Sequence, residues 1–162
     1  MTRRDFARSG TGYFAIGIYH PKAEVNVGSL WRSAMLFDAA FVFTVGRRYR
    51  KQASDTPRTP MKIPLMHFAD IADLYEHLPH SCRFVGVELA SGARPLTGFI
   101  HPIRAVYLLG SEDHGLPKAI LERCHCLVQI ETKQPESMNV SCAGSILLHH
   151  RHVQELMTRD AL

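Results

Sequence analysis

Five runs of apolar residues in this chain are continuous rather than alternating: Phe14–Tyr19, Phe41–Val45, Phe84–Leu89, Ala105–Leu109 and Leu127–Ile130. A strand with one wet face alternates polar and apolar positions. A short continuous run instead suits a strand covered on both faces, as in a parallel sheet. The intervening segments carry the helical period. Val27, Leu30, Trp31, Ala34 and Met35 form one stripe, and Ile71, Leu74, Tyr75 and Leu78 form another. Pro117 fits the first turn of a short helix reaching about Arg123. A longer helix, from about Val140 to Met157, places Ile146, His150, Val153 and Met157 on one face. Strands alternating with helices predict an α/β fold with a mainly parallel sheet flanked by helices.

The length of 162 residues suits a single domain spanning 1–162, and no internal repeat divides it. No apolar run approaches the ~20 residues that cross a bilayer. The amino terminus, MTRRDFARSG, has no apolar stretch behind its basic residues, so no secretory signal is expected. Four cysteines in such a chain read as reduced thiols of a cytoplasmic protein.

The formal charge of +4 is concentrated in one place. Between 46 and 64 lie Arg47, Arg48, Arg50, Lys51, Arg58 and Lys62 against Asp55 alone, a net +5, which leaves −1 for the rest. Ala53 to Pro64 holds three prolines and reads as a loop. Clustered arginines suit bidentate contact with phosphate oxygens, so this basic loop predicts a nucleic-acid partner.

Three polar islands fall at carboxyl ends of strands, where open α/β sheets bind their ligands. The first is Asn26-Val-Gly28-Ser-Leu-Trp-Arg32, with Asn26 read as a helix cap. The second, Leu109-Gly110-Ser-Glu112-Asp-His-Gly115-Leu116-Pro117, lacks both the dinucleotide and the Walker glycine spacings. Its acidic pair would repel a pyrophosphate, while its backbone amides and carbonyls could hold a purine and a ribose. The third runs from Ile130 to Ser141; of Ser137, Asn139 and Ser141, one suffices to cap the last helix.

Together the three islands carry a resemblance. The chain resembles the SPOUT superfamily, in particular its SpoU/TrmH branch of RNA ribose 2′-O-methyltransferases. Asn26, Gly28 and Arg32 match the first motif, Gly110, Glu112, Gly115 and Leu116 the second, and Ser137, Asn139 and Ser141 the third. The resemblance implies S-adenosylmethionine as cofactor, held in a deep trefoil knot at about 105–150, and a homodimer with RNA crossing both subunits. It places Leu89, Gly110, Ile130, Ser137 and Met138 around the cofactor. Arg32, Asn26, Glu112 and Asn139 become catalytic candidates, and Arg47, Arg48, Arg50 and Lys51 RNA-binding ones. Transfer RNA is the favoured substrate over ribosomal RNA, and no metal is implied. A catalytically silent RNA-binding module on the same fold is the rival reading, and it predicts damage to motif residues that are in fact intact. Glu131 stands where many relatives carry proline, which implies a less rigid loop there.

The motif-one arginine of such proteins is often described as a general base. Preparing a neutral guanidine at pH 7 would cost roughly 7 kcal/mol, because the arginine pKa exceeds ~12. Arg32 is therefore read mainly as a cation that clamps phosphate and stabilises charge on the 2′-oxygen. Weaker signals have simpler readings. Cys124-His125-Cys126 lacks the second ligand pair of structural zinc, so core thiols are expected. His149, His150 and His152 are expected near a helix carboxyl end, where imidazolium suits the dipole. Trp31 is expected in the core or an interface, and Tyr49, flanked by arginines, is an even choice for RNA contact.

Overall fold

The computed structural model describes residues 12–50, 63–78, 81–134 and 136–160. In chain order the elements are β1 (Tyr13–Tyr19), α1 (Glu24–Leu36), β2 (Phe41–Val45), β3 (Leu65–Phe68), α2 (Ile71–Glu76), β4 (Arg83–Val87) and β5 (Arg94–Pro95). A 3-10 turn at Leu96–Gly98 follows, then β6 (Arg104–Leu109), α3 (Lys118–Leu121), β7 (Cys126–Gln129) and α4 (Val140–Asp160). The seven strands form one sheet in the order β3-β2-β1-β6-β4-β7-β5, and every pairing is parallel. The expected α/β class with a parallel, helix-flanked sheet is the observed one.

Alternate residues of each central strand bury into opposite layers. Ile16, Ile18, Tyr107 and Leu109 pack with Leu30, Trp31 and Leu147 beneath α1 and α4. Ala15, Phe43, Phe84 and Leu108 pack with Leu74 and Ile120 on the side of α2 and α3. This two-sided burial explains the unbroken apolar runs. Helices α1 and α4 lie unusually close, because a Cβ on Gly144 would stand 2.4 Å from Leu30 Cδ1. Ser33 and Ser145 share a 2.8 Å hydrogen bond along the same seam.

Several sequence expectations need correction. Strands β3 and β5 carry no continuous apolar run, because both are edge strands and largely wet. Strand β4 stops at Val87, leaving Glu88 and Leu89 beyond it, and β7 begins one residue early at Cys126. Asn26 is not the cap of α1: Ala23 holds that position, and Asn26 lies buried inside the first turn. Pro117 precedes α3 as its N-cap residue, and α3 is a single turn. Helix α4 continues to Asp160, so His149, His150 and His152 sit in its middle rather than at its end.

His150 instead joins a polar cluster that pins α4 to the chain entering β6. His101, 8% exposed, shares hydrogen bonds with Tyr107 Oη at 2.7 Å and with His150 Nδ1 at 2.9 Å. Arg151 donates to the carbonyls of Pro102 and Ile103 and to Tyr107 Oη. Its Nε lies 3.0 Å from Glu155 Oε1, an ion pair whose alignment falls short of a hydrogen bond. Burial first, then the Arg151 and His150 charges, push the His101 pKa down to about 3. The folded chain thus keeps His101 neutral, while an unfolded chain protonates it below the usual value near 6.5. Stability from this source is complete above that value and declines as pH falls through it. Between pH of about 7.5 and about 5.5 the expected loss is about 1.4 kcal/mol. Urea denaturation at the two pH values measures it, and His101→Asn should remove that portion of the pH dependence.

Trp31 is core, with Nε1 donating to the Ile63 carbonyl at 3.2 Å. Tyr49 packs edge-on against Trp31 at 6.2 Å between ring centres, so its ring is part of the fold. In the Cys-His-Cys run, His125 Nδ1 accepts the Phe84 N–H at 2.9 Å. Cys124 donates to the Ile120 carbonyl, and burial pushes its thiol up to about 12.

Candidate active site

The carboxyl ends of β4, β6 and β7 converge on a cleft of about 250 Å³. Leu89, Gly110, Ile130, Ser137 and Met138 all line it, so the sheet brings the five expected cofactor residues to one place. Val87, Leu109, Val140 and Ala143 supply an apolar wall. Glu88, Glu112, Asp113 and Glu136 supply carboxylates, with His114 alone among the lining residues able to carry positive charge.

One wall is a tight turn. Ser111 and Gly115 exchange backbone hydrogen bonds of 3.2 and 3.0 Å, and Gly115 takes a φ of +63°. That left-handed conformation favours glycine. Gly110 is required for space: a Cβ there would fall 2.5 Å from the Gly115 backbone. The opposite wall, formed by Ile130, Thr132 and Glu136 to Met138, is tied to the chain after β5. Glu131 accepts the Leu96 N–H at 2.8 Å and the Thr97 hydroxyl. The expected looseness at Glu131 is thus corrected, since its carboxylate supplies the fixation that a proline ring would have given.

Three motif residues form one hydrogen-bonded chain. Asn26 Nδ2 donates to Glu112 Oε1 at 2.8 Å, and Asn139 Nδ2 donates to Asn26 Oδ1 at 3.0 Å. Asn139 Oδ1 accepts from the N–H groups of Ser141 and Cys142 and from the Ser141 hydroxyl. Asn139 is therefore the cap of α4 as well as a link in the chain. Glu112 also accepts the N–H groups of Lys22 and Ala23. Burial pushes its carboxyl up, but the bonds from Asn26 and these backbone groups outweigh that and leave it below the usual range.

Arg32 stands apart from this chain. It is exposed on α1 and makes no hydrogen bond or ion pair to any described residue. Val25, Ser29, Arg32 and Leu36 are the exposed stripe of that helix. The basic segment reaches the cleft through Lys22. Arg47 Nη1 donates to the Lys22 carbonyl at 2.9 Å, and Lys22 Nζ pairs with Asp113 at 2.8 Å. Burial first and the Arg48 charge second hold His67, on β3, below its usual pKa. The Arg50 N–H donates to Glu24 at 3.0 Å. Lys51, Arg58 and Lys62 lie outside the described residues.

Lys22 and Glu88 were not singled out in the sequence, where each is a lone charge. For Glu88 one signal exists: it is the first carboxylate after an otherwise apolar run.

Residues 13–149 match the family model described as the SpoU rRNA Methylase family. The chain belongs to that family. Its fold is one that solved relatives use with AdoMet bound. The AdoMet-bound rRNA methyltransferase of Sinorhizobium meliloti superposes with a TM-score of 0.75 at 21% identity, over 89% of this chain and 57% of that one. A structure described by the 2-OH methylation of C/U34 on tRNA gives 0.76 at 22% identity, over 91% of this chain and 99% of that one. The A. aeolicus TrmH/SpoU tRNA modifying enzyme gives 0.81 at 16% identity, over 96% and 81%. The chain thus spans little more than half of the S. meliloti enzyme and nearly all of the second. No curated protein sequence matches it.

The cleft fits S-adenosylmethionine by its donor set. The cofactor is cationic at sulfur and at its amino group, and four carboxylates line or rim the cleft. The apolar wall and the glycine-lined turn leave room for a flat base beside exposed backbone groups. A pyrophosphate-bearing dinucleotide would meet repulsion in the same place.

Proposed function

We propose that this methylase uses S-adenosylmethionine to methylate a ribose 2′-hydroxyl of RNA, with transfer RNA the first substrate to try. The observation that carries the reading is the acidic, backbone-lined cleft, joined by the Glu112–Asn26–Asn139 chain to the start of both α1 and α4. The near-complete coverage of the structure concerned with tRNA C/U34 supports the choice of tRNA. Ribosomal RNA is the alternative substrate.

The cofactor supplies an electrophilic methyl group. When bound, it would give that methyl to the 2′-oxygen and keep the sulfur electron pair, and the hydroxyl proton would pass to solvent. The chain's part is to place the hydroxyl and to favour negative charge on its oxygen. Leu89, Gly110, Ile130, Ser137 and Met138 would hold the cofactor. Asn26, Glu112 and Asn139 are positioning residues, because their polar atoms are spent on one another and on backbone N–H groups. Arg32 is the cation that clamps phosphate and steadies the 2′-oxygen. Arg47, Arg48, Arg50 and Lys51 form the RNA approach.

Arg32 is not among the residues lining its own cleft and lies on an exposed face of α1 suited to a second copy. Beside the α1 stripe, α4 exposes Cys142, Ile146 and His149. The two helices run side by side through Leu30–Gly144, Ser33–Ser145 and Phe37–His149. A homodimer covering this face would carry Arg32 toward the partner's cleft.

A trefoil knot is supported by strand order. Strand β7 lies between β4 and β5, which are joined by only residues 88–93, so a chain leaving β7 that passes under that short connection to reach α4 would close a knot. A single domain spanning 1–162 and a cytoplasmic site of action complete the proposal; no described helix is long and apolar enough to cross a membrane.

The test is transfer of labelled methyl from S-adenosylmethionine into unmodified bulk tRNA, followed by nuclease digestion and mass spectrometry. Label on ribose is the expected result, together with thermal stabilisation by S-adenosylhomocysteine and none by NAD. Cofactor binding without transfer to tRNA would redirect the search to ribosomal RNA. Neither binding nor transfer would favour the silent RNA-binding module.

A further inference from the structure

Glu88 lies one residue past β4, and its N–H extends the ladder to the Val128 carbonyl at 3.0 Å. Its side chain turns toward the neck of the 110–115 turn. Oε2 accepts the Leu116 N–H at 2.7 Å, and Oε1 accepts the Leu89 N–H at 3.0 Å. The carboxylate also occupies the space that side chains on the turn's glycines would need. A Cβ on Gly115 would fall 2.4 Å from Glu88 Oε2, and one on Gly110 would fall 2.6 Å from it. The turn is therefore held at both ends: Glu112 and Asp113 fasten its tip to Lys22 and Ala23, and Glu88 fastens its neck. A hydrogen bond to a charged acceptor is stronger than a neutral one, and removing that acceptor leaves a half-buried N–H unpaired.

We infer that Glu88 is a positioning residue for cofactor binding: it fixes the 110–116 backbone, and with it one wall of the cleft, by accepting the Leu116 N–H and packing against Gly110 and Gly115. This deepens the proposed cofactor reading and rests on it. Glu88 bridges two walls, since Leu89 and the turn both line the cleft. It acts on where the wall stands, not on the methyl group.

Isothermal titration with S-adenosylhomocysteine tests the inference. Glu88→Ala should weaken binding about tenfold or more, while Glu88→Gln, which keeps an acceptor oxygen, should stay within about threefold of the parent. The cofactor KM should rise with Glu88→Ala, and kcat at saturating cofactor should hold within about threefold. A purely structural residue would instead lower the melting temperature of the unliganded protein and leave affinity alone. Should Glu88→Ala fail to fold, Gly115→Ala supplies the second arm. Its new Cβ must push the Glu88 carboxylate off Leu116, so it should weaken binding about tenfold or more. Parent-like affinity in Glu88→Ala, or in Gly115→Ala where Glu88→Ala does not fold, overturns the inference. Absence of binding by the parent itself overturns the cofactor reading instead, so the two failures are distinguishable.

Discussion

Mixing Arg32→Ala with Gly110→Ala is expected to restore methyl transfer that neither variant shows alone. Arg32→Ala should lower the rate by about a hundredfold or more, the usual loss when one donor aimed at developing charge is removed. Its cleft stays intact, so it should still bind S-adenosylhomocysteine. Gly110→Ala places a Cβ 2.5 Å from the Gly115 backbone, which must shift and spoil the cleft. Its Arg32 stays intact. If Arg32 serves the partner's cleft, each mixed dimer holds one complete site and one with both defects. Random exchange makes half the dimers mixed, so activity should return to about a quarter of the parent value. Sites complete within one chain would give no recovery. That result, or a monomer at assay concentration, would remove Arg32 from the shared site.

Glu112→Ala should be the most damaging single change to the site's framework. The carboxylate accepts from Asn26 and from the N–H groups of Lys22 and Ala23, and Asn26 is 7% exposed. Truncation leaves the Asn26 amide and the half-buried Ala23 N–H without acceptors. At ~1–3 kcal/mol for each stranded donor, the expected loss is about 3 kcal/mol. Glu112→Gln keeps one acceptor oxygen and should lose less than half of that. Urea denaturation of the three proteins at neutral pH gives the comparison. Because folding bonds hold the carboxyl below its usual range, the Glu112 contribution is present at neutral pH and lost as pH falls through the carboxylate range. Equal stability of Glu112→Ala and the parent would mean that the three-motif chain is ornamental.

The central strands were legible because burial on both faces leaves a continuous apolar run, as in Ala105–Leu109. Strands β3 and β5 were not, because edge strands bury little and have no such run. At the site, it was the family resemblance that placed Gly110, Ile130 and Ser137 together, and the fold brings them to one cleft because loops at the same end of a parallel sheet meet. Asn26 was misread for a definite reason. Its preference for helix starts is local, whereas its partners lie 86 and 113 residues away. Glu88 and Lys22 escaped notice on the same ground: a single charge has no period, and its meaning comes from what the fold sets beside it. Glu131 illustrates the reverse, a departure from the usual proline whose compensation, Thr97, lies on another element.

Strand β6 occupies the middle of the sheet, between β1 and β4, yet it follows both in the chain. A nascent chain that has emerged only as far as Gly98 therefore holds β1 and β4 with their inner edges bare, and nothing yet made can pair them. Open strand edges are templates for intermolecular pairing, so this interval of synthesis is the one most exposed to aggregation. Once β6 inserts, the central hydrogen-bond ladder closes, and β7 then covers the other edge of β4. Changes that weaken β6 should thus reduce soluble yield in cells more than they reduce the stability of the finished protein. Slower elongation just ahead of Arg104 should do the same without altering a single residue.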